Sequence, residues 1–206
     1  ALVLVVLCFA LPPIYADEAE PATAEAETTR VLIIDAGHGG EDGGATTAEG
    51  VPESGINLAI AQKLEALAGL CGVESVMTRE SQEISYPESA ATTAQRKQAD
   101  QRARIELINA QSDAVLISIH QNFFPTAQPS GCQVLYGKPE GSRELGELTH
   151  RNLTEALCPT SRRVAAPISE DIYLMRSAKC TSILVECSFL SNPTAAALLQ
   201  TADYPL

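Results

Sequence analysis

Short apolar runs alternate with helix-like segments along this chain, and three of the runs lead into a residue able to bind a metal or move a proton. "VLIID" (31–35) runs into Ala36, Gly37 and His38; "AVLISIH" (114–120) ends on His120; "SILVE" (182–186) ends on Glu186. Runs this short and this apolar read as strands buried on both faces, the pattern of a parallel sheet covered by helices. "VESVM" (73–77), "QVLY" (133–136) and "IYLM" (172–175) read as further strands. Residues 56–69 place Ile60, Leu64 and Leu67 on one helical face, and residues 92–111 read as a polar helix with Ala94, Ile105 and Ile108 turned inward. Residues 142–157 form an amphipathic pattern through Leu145, Leu148, Leu153 and Leu157, and Pro193 opens a last helix capped by Ser191 or Asn192. This alternation predicts a single-domain α/β sandwich, a largely parallel or mixed sheet flanked by helices. In such sheets sites gather beyond the carboxyl ends of the strands, where His38, His120 and Glu186 fall.

A net charge of −12 excludes binding driven by nucleic-acid phosphates. Much of that charge lies in the stretch after residue 16, where Asp17, Glu18, Glu20, Glu25 and Glu27 have no basic neighbour. Residues 17–29 therefore read as a solvated acidic linker. Residues 1–16 carry no charge and read as the apolar part of an export signal, with Ala16 as the cleavage point, or as a retained membrane anchor. That leaves 30–206 for the folded domain. Outside the leader the cysteines are Cys71, Cys132, Cys158, Cys180 and Cys187. No CxxC occurs, so a zinc ribbon is excluded. Export permits disulfides, but spacing assigns no pair.

His38 sits in "DAGHGGEDGG", where glycines allow a sharp turn and close approach of a ligand. A phosphate-cradling loop does not fit, since no GK[ST] follows. A catalytic zinc site takes three protein ligands and leaves a fourth position to water. His38 and His120 supply two, and Glu41, Asp42, Glu49 and Glu53 are acidic candidates for the third. Glu53 has the firmest setting, just before a helix, although spacing alone does not choose it. Glu186 is either a ligand or a base beside zinc-activated water. A GxSxG element is absent, Cys187 has no histidine beside it in sequence, and His150 reads as a surface or helix-packing residue.

Five blocks in order, "VLIIDAGHGGEDGGA", "ESGINLAIAQKL", "MTRE", "RARIELINAQSDAVLISIHQN" and "ILVECSFLSNP", resemble the zinc-dependent N-acetylmuramoyl-L-alanine amidases, the type 3 amidase catalytic domain. The resemblance spans about residues 31 to 200 and is greatest to the short exported spore-type members. It implies His38, Glu53 and His120 as Zn2+ ligands, Glu186 as the catalytic base, and Arg104 and Asn122 as residues that organise or line the site. It implies peptidoglycan as substrate, cut at the amide between the lactyl group of N-acetylmuramic acid and L-alanine. It further implies a monomeric catalytic domain over 30–206 outside the cytoplasm, secreted or anchored on the outer face. Three departures stand out. Ser54 replaces the lysine common after the ligand glutamate, the helix after "SNP" reads as incomplete, and no added wall-binding domain is visible. Targeting would then come from the signal, an anchor or a partner. Two other readings share these residues: a non-catalytic peptidoglycan-binding module on the same fold, and a zinc peptidase or deacetylase acting on another amide.

Overall fold

A computed structural model describes residues 30–201. The expected leader (1–16) and the expected linker (17–29) lie outside the described residues. In chain order the elements are β1 (Val31–Ala36), α1 (Glu53–Leu70), β2 (Ser75–Met77), α2 (Thr93–Ala110), β3 (Ala114–Asn122), β4 (Gln133–Tyr136), α3 (Ser142–Leu157), β5 (Ala166–Pro167), α4 (Tyr173–Ser177), β6 (Thr181–Phe189) and α5 (Pro193–Leu199). The strands form one six-stranded sheet in the order β2-β1-β3-β6-β4-β5. β2, β1, β3 and β6 run parallel, β4 pairs antiparallel with β6, and β5 runs parallel to β4. The sheet is mixed, with the three site-bearing strands side by side at its centre.

Alternation along these strands divides the core into two layers. Leu32, Ile34, Ile117, Ile119, Ile183 and Val185 pack with Ile60 and Leu64 of α1, Leu153 of α3 and Leu199 of α5. Ile33, Leu116 and Leu184 face the other way and pack with Ile108 of α2 and Leu174 and Met175 of α4. A strand with helices on both faces is apolar at most positions, which is why β1, β3 and β6 could be read as nearly continuous runs. α1 and α2 are crossovers between successive parallel strands: α1 joins β1 to its neighbour β2, and α2 carries the chain from β2 across to β3 on the other side of β1.

Two local expectations need correction, and one strand was unforeseen. "IYLM" is not a strand: Tyr173–Ser177 is a short helix, in which the N–H of Ala178 bonds back to Leu174 O at 3.0 Å. The helical turn puts Leu174 and Met175 together under Ile108, whereas a strand would have sent them to opposite faces. Ala94 is exposed, because Thr92 caps α2 and the helix buries only Arg104 and Ile108, in its C-terminal half. The two-residue strand β5 was not foreseen. At the last helix Asn192 is the cap, accepting from the Ala195 N–H at 3.1 Å, with Pro193 in the first turn.

Candidate active site

β1 delivers the chain into a loop that turns sharply back toward α1. His38 adopts φ 61°, a left-handed conformation uncommon for a residue with a Cβ, between Gly37 and Gly39. The glycines around it are required by contact. A Cβ on Gly37 would lie 2.3 Å from the His120 ring, and one on Gly44 would lie 2.6 Å from Glu53 Oε2 and 2.7 Å from the His38 ring. The loop backbone thus packs directly on the polar side chains.

Glu53 is the first residue of α1, where a carboxylate is favoured by the helix dipole. It is nearly fully buried and lies between the two histidines: Oε2 is 3.4 Å from His38 Nε2, and Oε1 is 3.1 Å from His120 Nδ1. The N–H of Ala45 donates to Oε2 and that of Gln121 to Oε1, both at 3.0 Å, and Asn57 Nδ2 donates to Oε1 at 3.1 Å. Burial alone would raise the Glu53 pKa, but hydrogen bonds and charge from His120 and His38 hold it well below the usual carboxylate range. The other nitrogen of His38, Nδ1, lies 3.1 Å from Asp42, which Lys97 in turn contacts at 2.8 Å. Burial pushes the His38 pKa down, yet the Asp42 and Glu53 hydrogen bonds outweigh it and raise it to about 9.

Of the four acidic candidates, Glu53 is the one in contact with both histidines. Glu41 turns to Arg96 and Thr93, Glu49 is exposed, and Asp42 lies on the outer side of His38. His38, Glu53 and His120 each offer a ligand atom, and these atoms all lie within 4.8 Å of one another. Two imidazoles and one carboxylate form a donor set suited to a catalytic metal.

Glu186 is the register partner of His120 across the β3–β6 pair. Its Oε2 is buried without a hydrogen-bond partner. Burial, reinforced by the Glu53 charge and opposed by the two histidines, pushes its pKa up to about 7. A carboxyl group at that value can both accept and return a proton near neutral pH.

A second polar cluster supports the loop. Arg104 donates from Nη1 to Asp35 Oδ1 at 2.9 Å and to Ala36 O at 2.7 Å, and from Nη2 to His38 O at 2.6 Å. Arg79 donates to Ala36 O at 2.8 Å, Gly37 O at 3.1 Å and Ser54 O at 2.8 Å. Asp35 also accepts from Thr78 at 2.7 Å and Ser118 at 2.5 Å. Burial opposes ionisation of Asp35, but the Arg104 charge and these hydroxyls keep its pKa low. Arg104 thus holds the His38 backbone. Asn122 is half-buried at the end of β3, past an irregularity in register after His120, and the structure does not bring it into the carboxylate–imidazole contacts. Asp35, Arg79, Ser118 and Gln121 went unrecognised in the sequence. The available signal was an Arg two residues past the end of β2, in "MTRE", where a strand-end cation has loop carbonyls within reach. His150 is a packing residue: it is buried, and its Nε2 lies 2.9 Å from Arg163 O.

The family model for N-acetylmuramoyl-L-alanine amidase matches residues 32–205. The chain belongs to this amidase family. Among curated relatives, the germination-specific N-acetylmuramoyl-L-alanine amidase of Bacillus subtilis is 34% identical over 85% of this chain and 73% of its own length. The N-acetylmuramoyl-L-alanine amidase LytC of the same organism is 27% identical over 84% of this chain, which spans 32% of that protein. Among solved structures, the CwlD amidase of Clostridioides difficile, in complex with the GerS lipoprotein, superposes with a TM-score of 0.78. It is 35% identical, covering 84% of this chain and 88% of that one. The amidase AmiC2 of Nostoc punctiforme shares the fold at a TM-score of 0.69 and 24% identity, over 85% and 88% of the two chains. Family membership supports hydrolase activity on peptidoglycan, with the spore-type proteins among the relatives. Among the described residues of this amidase-family chain, no helix is long and apolar enough to cross a membrane.

Proposed function

We propose that the chain is an exported zinc-dependent amidase that hydrolyses the amide between the lactyl group of N-acetylmuramic acid and L-alanine in peptidoglycan, in a spore-related setting. The observation that carries this reading is the meeting of two imidazoles and a carboxylate beside an unpartnered carboxyl group with a pKa near 7. His38, Glu53 and His120 would hold Zn2+, which when bound polarises the scissile carbonyl and activates water. Glu186 takes the proton of the attacking water on Oε2 and returns it to the departing alanine amine. Asp42 orients the His38 ring through Nδ1, and Asn57 with the Ala45 and Gln121 amides fixes Glu53. Arg104 and Arg79 keep the loop carbonyls in place, so that the ligands are set before substrate arrives. Asn122 lines the substrate side of the β3 end. The relatedness to a germination-specific enzyme and to an amidase bound to a lipoprotein supports a spore-related role and a membrane-associated protein partner.

The test is digestion of purified peptidoglycan by the complete chain, with and without a zinc chelator, read by mass spectrometry. The expected products are free stem peptides beginning with L-alanine and peptide-free glycan. They disappear with chelator and return on zinc addition. A zinc-loaded chain that releases neither product overturns the amidase reading in favour of a binding module. Cleavage at a different amide moves it to another substrate.

A further inference from the structure

Cys132 and Cys158 lie on the opposite side of β6 from β3, outside the cluster described above. Cys132 immediately precedes β4, and Cys158 is the C-cap of α3. Their Sγ atoms are 3.3 Å apart, and the N–H of Cys132 points at Cys158 Sγ at 3.5 Å. A disulfide of about 2.05 Å needs the sulfurs to approach by roughly 1.3 Å, a change within reach of side-chain rotation. The backbone is shaped for this contact. Gly131 takes φ +88°, and a Cβ there would fall 3.1 Å from Cys158 Cβ and 3.2 Å from its sulfur. The other cysteines are placed differently: Cys71 is exposed at the end of α1, Cys180 packs in the opposite layer, and Cys187 is buried with its sulfur toward Val185 O. Among the described residues the pair belongs to no group of metal ligands.

We infer that Cys132 and Cys158 form a disulfide that staples the entry of β4 to the C-terminus of α3. The chemistry is thiol–disulfide exchange with a disulfide oxidant, either a low-molecular-weight disulfide such as glutathione disulfide or a dithiol oxidase. Half-buried Cys158 attacks the oxidant first and releases one reduced thiol. Cys132 then attacks Cys158 Sγ in the mixed disulfide and expels the second. Two protein thiols become one disulfide, and the oxidant's disulfide becomes two thiols. Cys132 is the resolving partner, since burial and its hydrogen bond to Cys158 push its thiol pKa up to about 12 and leave it little thiolate of its own. The exported location proposed above supplies such oxidants, although the geometry stands without it. The staple has a bearing on the site: Gln133, the next residue, is the register partner of Glu186. Bracing β4 braces the strand that carries the proposed base.

The test uses the full chain, incubated in buffers of fixed reduced-to-oxidised glutathione ratio, alkylated under denaturing conditions and digested without reductant. Cys132 and Cys158 fall in separate tryptic peptides, and Cys180 and Cys187 in a third. The expected result is a linked Cys132–Cys158 species two hydrogens lighter than its parts, unchanged in Cys180→Ser. Reduction of the wild type should lower Tm by about 6–12 °C, the size of effect for a closed loop of this length in a domain of this size. Cys158→Ser should abolish the redox dependence of Tm. Full alkylation of both cysteines under excess glutathione disulfide overturns the inference. So does a Cys132–Cys187 link, which extension of the β4–β6 register by one residue would favour.

Discussion

Two polar clusters share the same end of β1 and β3, and they are built on opposite rules. Around Asp35, Arg104 and Arg79, buried charge is met by opposite charge, hydroxyls or backbone carbonyls. Around Glu53, two histidines and a second carboxylate converge, and Glu186 Oε2 is left unpaired. It is the one carboxylate among the unpartnered buried atoms of the described residues. A satisfied network fixes geometry, because every displacement costs a hydrogen bond in a medium of low dielectric constant. An unsatisfied carboxyl group costs stability and persists where proton transfer needs it. The first cluster is a frame for the loop carrying His38, and the second is what that frame presents.

The comparison can be broken most directly at Glu186. Glu186→Gln should retain metal, measured by elemental analysis, and lose about 10²–10⁴-fold in turnover of peptidoglycan. Turnover near wild type would remove Glu186 from the chemistry. The frame should respond in stability. Arg104→Met leaves Asp35 buried without its cation and should cost about 3–5 kcal/mol in denaturant unfolding. Unchanged stability would mean that the two clusters do not differ in kind. Asp42→Asn tests the link between loop and site: metal affinity should fall about 10–100-fold by competition with a chelating dye, with unfolding little changed.

The smallest effect is a pH slope. His38, with its pKa raised to about 9, carries a proton in the metal-free protein at pH 7. A metal must displace that proton, so apparent affinity should rise about tenfold per pH unit below 9 and level off above it. In His38→Ala the slope should lose this proton together with most of the affinity. A flat profile in the wild type would show that metal binding displaces no proton from the site.

β1, β3 and β6 were legible because a strand covered on both faces is largely apolar, although β3 runs on past His120 to Asn122 and β6 past Glu186 to Phe189. "IYLM" was not legible, since a short apolar run satisfies a buried strand and a buried helical turn equally. Glu53 was readable as one of four acids, and Arg104 as a residue that organises the site. Asp35 was passed over as the end of a strand, although it sits 69 residues from Arg104 in sequence and 2.9 Å from it in space. The cysteine pair was undetermined by spacing, which carries no information on the close approach that Gly131 permits.

The sequence by itself determined the local terms: which runs are apolar enough to be buried and where glycine allows the backbone to turn. Those follow from nearest neighbours along the chain. The tertiary structure decided which acid meets both imidazoles, which carboxylate is left unpartnered, and which sulfurs touch. Coordination, Coulomb energy and thiol exchange depend on separations of a few ångströms, and only the folded sheet brings together groups that are dozens of residues apart.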